Sequence, residues 1–301
     1  MELVRSEFRA MASACEIVAA SGDGVRTRQA IGLAAREVLR IERKYSRYRT
    51  DSSSIVHRIN AAAGSGVTVT CDAETLGLFE LAAELYRLSD GLFDVTSGIL
   101  RRVWNFSGGE IPSADDLAQV LPLIGWNMVE FGPAGVRLPR PGMEVDFGGI
   151  GKEYAADRAA SVLMQHGVAN GYVNLGGDIR VAGPRIGGEA WRFGVQNPRD
   201  AGAITANIDL RGGALVTSGD YVKFIEKNGI RFCHILNPRT GVSASCWRSV
   251  SVVGVSAVTA GAYATIAMLK EADAVQFLDE AQCQYLLVGA EGQCITGKKN
   301  S

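Results

Sequence analysis

Val145-Asp146-Phe147-Gly148-Gly149-Ile150-Gly151-Lys152-Glu153-Tyr154 reads as a strand that runs into a glycine turn and then a helix. Glycines at such a junction let the backbone come close to a ligand, and a helix N-terminus offers free N–H groups to an anion. Lys152 stands in the first turn, within reach of a phosphate. The spacing is neither G-x-G-x-x-G nor a Walker loop, so a tight turn with a solvated lysine is the competing reading.

Outward from this junction, short β-like runs occupy residues 67–70, 143–147, 172–175, 191–195, 204–210, 250–255, 285–288 and 294–296. Residues 27–45 repeat apolar side chains at Ala34, Val38, Ile41 and Tyr45, one buried face of a helix. Residues 73–88 do the same through Leu76, Phe79, Ala83 and Tyr86, and Gly91 is placed to take a left-handed cap. Further helices are expected over residues 151–165 and 259–269. Strands and helices do not alternate as a doubly wound sheet requires, so the expected class is α+β: a single domain, 1–301, of largely antiparallel sheets with packed helices. No Pro, Gly or Ser linker divides the chain, and no repeat is evident.

Composition narrows the function. With 47% hydrophobic residues in 301, the chain can bury a full core without metal or disulfide staples, which excludes disorder as its main state. A net charge of -1 gives no general field for phosphate backbones, so no nucleic-acid partner is expected. Glycine, at 36 residues, exceeds the usual share of about 7% and falls in doublets, as in a site built from backbone. The six cysteines lack C-x-x-C spacing and the three histidines are far apart, which argues for reduced thiols and no zinc. No transmembrane run and no signal-peptide h-region are seen, so the cytoplasm is the expected location, or export if the sequence is a trimmed mature form.

Two further segments carry chemistry. Asn174-Leu175-Gly176-Gly177-Asp178 closes a second strand with another glycine doublet and an acid. Thr217-Ser218-Gly219-Asp220-Tyr221 precedes residues 224–227 and 230–233, which flank Asn228-Gly229, a strong hairpin signal, and then His234. A histidine at a strand end is often structural, but beside a hydroxyl-rich loop it is a candidate general base.

Taken in order, these segments resemble the ApbE family, the FAD:protein FMN transferases. Met11-Ala12-Ser13 resembles the family's opening Met-Gly-Thr, and Ser46-Arg47-Tyr48 with residues 51–60 its Ser-x-Tyr…Ser…Leu-Asn stretch. Gly91-Leu92-Phe93-Asp94-Val95-Thr96, then Trp104, resembles Gly-x-Phe-Asp-x-Thr…Trp. Residues 146–154 resemble Asp-Leu-Gly-Gly-Ile-Ala-Lys-Gly-Tyr, and residues 174–178, 217–221 and 234–241 follow in family order.

The resemblance implies an enzyme that binds FAD with Mg²⁺, cleaves its pyrophosphate, places FMN on a threonine hydroxyl of an acceptor protein and releases AMP. It implies an FAD pocket of Met11, Tyr48, Leu92, Phe93, Asp94, Asp146, Lys152 and Ile235, with His234 as the base. For the metal it implies the carbonyl of Gly149, plus an Asp and a Thr four residues apart on a helix. Thr265 is present, but Gly261 stands where the Asp is expected. Glycine ligates nothing through a side chain, so weaker Mg²⁺ binding is expected, and Gly261→Asp is expected to lower the metal demand. Glu153 replaces the motif's second Gly, and Asn237 an Asp. Two other readings remain open: an FAD pyrophosphatase yielding FMN and AMP, and a flavin-binding protein without catalysis.

Overall fold

The chain opens on a hairpin that the sequence does not announce. Strands β1 (Leu3–Ala10) and β2 (Ser13–Ala20) pair antiparallel through Met11 and Ala12, which take φ of 51° and 57° in a computed structural model describing residues 3–297. The ends of the 1–301 span, residues 1–2 and 298–301, lie outside the described residues. Helix α1 (Gly24–Tyr45) follows, capped by the Asp23 carboxylate, which accepts from the N–H groups of Val25 and Arg26. Its buried face holds Ala34, Val38, Ile41 and Tyr45 as expected, with Ala30 and Ile31 added.

After α2 (Ile55–Ala61) comes α3 (Ala73–Leu88), which buries Thr75, Leu78, Phe79, Ala82 and Leu85. That face is turned from the expected Leu76, Phe79, Ala83 and Tyr86, of which only Phe79 is buried. The helix is apolar on two flanks that share Phe79; with Phe79 packed on Trp126, Phe131 and Phe147, the flank of Leu78, Ala82 and Leu85 is fully buried while Leu76, Ala83 and Tyr86 pack half-buried at its edge. The cap is as expected: Gly91 takes φ 83° and its N–H donates to Tyr86 O at 2.7 Å.

Short helix α4 (Ala114–Val120) and the small hairpin β3 (Glu130–Gly132) and β4 (Gly135–Arg137) lead to α5 (Gly151–Gln165), whose bounds match the expected ones. Then come β5 (Asn170–Leu175), β6 (Asp178–Gly183), β7 (Trp191–Asn197), β8 (Asp200–Leu210), β9 (Gly213–Gly219), β10 (Phe224–Lys227), β11 (Ile230–Cys233) and β12 (Trp247–Gly254). Helices α6 (Ala257–Lys270) and α7 (Ala274–Glu280) precede β13 (Gln284–Gly289) and β14 (Cys294–Thr296).

One eight-stranded sheet, in the order β1-β2-β5-β6-β9-β12-β13-β14, is antiparallel at every pairing, as the α+β reading requires. Helices α1, α5 and α6 pack together on one face, where Val173, Leu175, Val216, Val250 and Val252 are buried. The β7–β8 hairpin covers part of the other face, placing Trp191, Phe193 and Leu210 over Val18, Val181 and Leu215. Strands covered on both faces lose the alternation of burial: β9 buries Ala214, Leu215 and Val216 in succession, and β12 buries Ser249, Val250, Ser251 and Val252.

The two expected strands nearest the opening stretch are corrected. Residues 143–147 alternate inward and outward, with Met143, Val145 and Phe147 buried, yet they belong to no strand. Their backbone partners are irregular: Asn60 Nδ2 donates to Val145 O at 3.0 Å, Val145 N–H donates to Asn60 Oδ1 at 2.8 Å, and Asp146 N–H donates to Val95 O at 2.8 Å. Residues 67–70 make one isolated bridge, Val69 to Val136. Since Val145 is fully buried, Asn60→Ala leaves an N–H and a C=O without partners, and a loss of about 2–4 kcal/mol in urea-unfolding stability is expected. A loss below about 0.5 kcal/mol, the level of an ordinary surface change, would show that water replaces the amide.

Candidate functional site

The junction at residues 147–151 opens on a cavity of about 420 Å³ between the end of α5, the edges of β5, β6 and β9, and the segments around residues 93–98 and 234–236. That volume lies within the range of small-molecule sites, roughly 300–1,000 Å³. Leu92, Phe93, Asp94, Asp146, Gly149, Lys152, His234, Ile235 and Thr265, all expected from sequence, line it. Met11 and Tyr48 are not in the lining. Met11 sits in the β1–β2 turn with its N–H on Glu42 Oε1 at 2.6 Å, and Ser13 reaches the cavity instead. Tyr48 is 72% exposed beyond the end of α1, touching Arg101 only through its hydroxyl at 3.5 Å.

The cavity floor is the α5 N-terminus. Ile150 precedes that helix without a side-chain cap, and the Gly151 N–H is taken by Phe147 O at 2.6 Å, so the Lys152 N–H is the first-turn donor left to face an anion. Lys152 Nζ lies 2.5 Å from Asp178 Oδ2, an acid only 2% exposed, while the lysine side chain stays 28% exposed toward the cavity. Burial works against the Lys152 charge, and the negative charges of Asp178 and Glu153 outweigh it, holding the ammonium above its ordinary value. Glu153, the next residue, is 7% exposed and its Oε2 has no hydrogen-bond partner. Burial and then the charge of Asp178 push its carboxyl up to about 8.

Asp94 lines the cavity as expected and also orders a loop. Its carboxylate accepts from Thr96 N–H at 2.8 Å, Thr96 Oγ1 at 2.6 Å and Trp126 N–H at 2.9 Å, so it is occupied in positioning the loop that carries Phe93. The Phe93 ring presses on Gly149, where a Cβ would stand 3.1 Å from it. Asp146 accepts from Gly148 N–H at 2.8 Å and faces Arg47 at 3.4 Å and Arg101 at 3.8 Å. Thr265 on α6 shares a hydrogen bond with Ser218 on β9 at 3.0 Å.

The β10–β11 hairpin has the expected Asn228-Gly229 turn, with φ of 53° and 75°, and delivers His234 to the cavity mouth. His234 Nδ1 lies 3.2 Å from Lys223 O. A carbonyl only accepts, so Nδ1 carries the proton and Nε2 keeps a free lone pair. Burial, then the positive charge of Arg101, pushes the imidazole down to about 4, which keeps it neutral at pH 7. The following turn is anchored by Trp104 Nε1, which donates to Gly241 O at 2.8 Å, tying two separate sequence segments together.

Several wall residues, Arg101, Gln196 and Asp178 among them, were not nominated from sequence. Arg101 carries no local signal, and Gln196 comes from a strand with no visible motif. Asp178 was visible as the acid after a glycine doublet, and its burial under Lys152 gives it a role. Among the described residues, no group of three or more His, Cys, Asp or Glu could hold a metal ion. Gly149, Thr265 and Glu153 line the cavity, and the Glu153 Oε2 has no partner.

The ApbE family model matches residues 11–287. An FAD:protein FMN transferase of Klebsiella pneumoniae (strain 342) is 34% identical over 195 residues, 63% of this chain and 60% of the relative. Another, from Treponema pallidum (strain Nichols), is 31% identical over 231 residues, 70% of this chain and 64% of the relative. The matches thus span less than two thirds of those two relatives. The crystal structure of the ApbE protein of Thermotoga maritima aligns over 99% of this chain and 97% of its own, at TM-score 0.90 and 30% identity. The flavin transferase ApbE of Vibrio cholerae aligns over the same shares at TM-score 0.87 and 25% identity.

Proposed function

The chain belongs to the ApbE family, and on that premise we propose that it is an FAD:protein FMN transferase that moves FMN from FAD to a threonine hydroxyl of an acceptor protein. The observation that carries this reading is the meeting of Lys152, Phe93 and His234 on one cavity from segments far apart in sequence. They supply a cation for pyrophosphate, an aromatic wall for a ring system and a neutral base with its lone pair free.

In this mechanism FAD lies with its pyrophosphate over the α5 N-terminus and Lys152. His234 Nε2 takes the proton of the acceptor threonine, whose oxygen bonds to the FMN-side phosphorus. The bond from that phosphorus to the bridging oxygen breaks, and AMP leaves with the electron pair. Gly149 and Thr265 would hold a Mg²⁺, which when bound supplies charge to offset the developing phosphate oxygens. Phe93, held by Asp94 and pressed on Gly149, limits how the flavin or adenine ring can turn.

The test is incubation of the full chain with FAD, Mg²⁺ and an acceptor peptide bearing a threonine, read by mass. An FMN adduct on the peptide is the expected product. FMN and AMP released equally with and without peptide would identify a pyrophosphatase instead, and bound FAD without turnover a flavin-binding protein.

The His234 environment sets the pH profile. The base form is lost as pH falls through the folded-state value of about 4, well below the ordinary histidine value near 6.5. The acid limb of kcat/KM for FAD, which reports the free enzyme, is therefore expected to stay flat down to about pH 5. An acid limb centred near 6.5 would mean that His234 is not the base, or that its ring is solvated.

A further inference from the structure

Two departures from the family pattern, separate in sequence, are one feature in space. Gly261 stands on α6 where the pattern has an aspartate, and Glu153 stands on α5 where it has a glycine. A Cβ on Gly261 would lie 2.6 Å from Glu153 Cγ, 2.9 Å from its Oε1 and 3.1 Å from its Cδ. The glutamate side chain therefore fills the volume that a side chain at 261 would take.

We propose that Glu153 supplies the carboxylate of the divalent-cation site in this chain, reaching it from α5 across the space left by Gly261. This rests on the transferase reading only for what the cation does, not for where it binds. Glu153, Gly149 and Thr265 line the same cavity. Thr265 lies four residues beyond Gly261 on α6, so the two share a helix face, and the glutamate carboxylate lies against that face. Oε2 is buried and lacks a partner, although buried polar atoms are almost always paired. A cation is the partner that such an oxygen lacks. Oxygen donors from a carboxylate, a hydroxyl and a carbonyl, completed by waters and substrate phosphates, are the set that Mg²⁺ prefers.

On this assignment the result expected of Gly261→Asp reverses, and the change should not lower the metal demand. With Glu153 in place, that change puts two carboxylates into one volume, so the single variant should lose thermal stability and gain no affinity.

The experiment is a Mn²⁺ titration followed by electron paramagnetic resonance on the full chain, with and without FAD. Glu153→Gln keeps the shape and removes the charge, and is expected to weaken Mn²⁺ binding by about tenfold or more. FAD binding without metal, followed by flavin fluorescence, should change little. Mn²⁺ binding equal to that of the unaltered chain, or no Mn²⁺ binding by the unaltered chain, would overturn the proposal. Should Glu153→Gln fail to fold, Glu153→Gly is compared with the exchange Glu153→Gly/Gly261→Asp. Binding lost in the first and restored in the second supports the assignment, and equal binding in both overturns it. Loss of transfer activity with Mn²⁺ binding still dependent on Glu153 would sink the transferase reading and leave this site standing.

Discussion

His234→Ala is expected to slow transfer by about 10²–10⁴-fold, the usual contribution of a positioned general base, while FAD binding stays close to that of the unaltered chain. The separation follows from where the residue stands. His234 is at the cavity mouth, at the end of a hairpin whose strands pair with each other and not with the main sheet. Its ring is fixed by one bond, Nδ1–H to Lys223 O, so truncation removes the base and about 1 kcal/mol of hydrogen bonding without touching the α5 floor. Single-turnover transfer to a threonine peptide reads the chemistry, and fluorescence titration reads FAD affinity. A transfer rate within about threefold of the unaltered chain's would assign His234 to structure, since loss of a working base costs far more.

The residues that build this site differ in how far their neighbourhood predicts them. Asn228-Gly229 is legible to the residue because a two-residue hairpin needs positive φ twice, and those two residue types tolerate it. Met11-Ala12 makes the same kind of turn with no such chemistry. Strand pairing and the Glu42 carboxylate impose it, and both lie outside the dipeptide. Residues 143–147 show which side chains go inward but not what pairs with their backbone. The answer, Asn60, is a side chain 85 residues before Val145. The same limit explains Glu153 and Gly261: each alone reads as a loss, of a glycine or of a ligand, and only the packing of α5 on α6 joins them. Tyr48 is the reverse case: its position in a motif implied a ring-covering role, and it stands 72% exposed outside the cavity lining, against Arg47 and Arg101.

Lys152 should yield two large effects that one substitution confounds and a second separates. Its ammonium is the only ion-pair partner of the Asp178 carboxylate among the described residues, and Asp178 is 2% exposed. Lys152→Ala therefore leaves a buried carboxylate without its counter-charge. Breaking such a pair from one side costs roughly 3–5 kcal/mol, far more than the lost Coulomb attraction of an exposed pair. The same lysine faces the cavity, where a charge-assisted bond to a phosphate is worth about 1.5–3 kcal/mol, or roughly tenfold to a hundredfold in FAD affinity. Lys152→Ala/Asp178→Asn removes the stranded charge and is expected to recover most of the stability measured by urea unfolding. It cannot recover the phosphate contact, so FAD should remain weak while riboflavin, which carries no phosphate, binds as before. Were FAD and riboflavin weakened equally in the double variant, Lys152 would be a partner of Asp178 alone, and the phosphates would rest on the α5 backbone. Were the single variant as stable as the unaltered chain, Asp178 would have to be protonated or hydrated there, and the pair would hold the ligand rather than the fold.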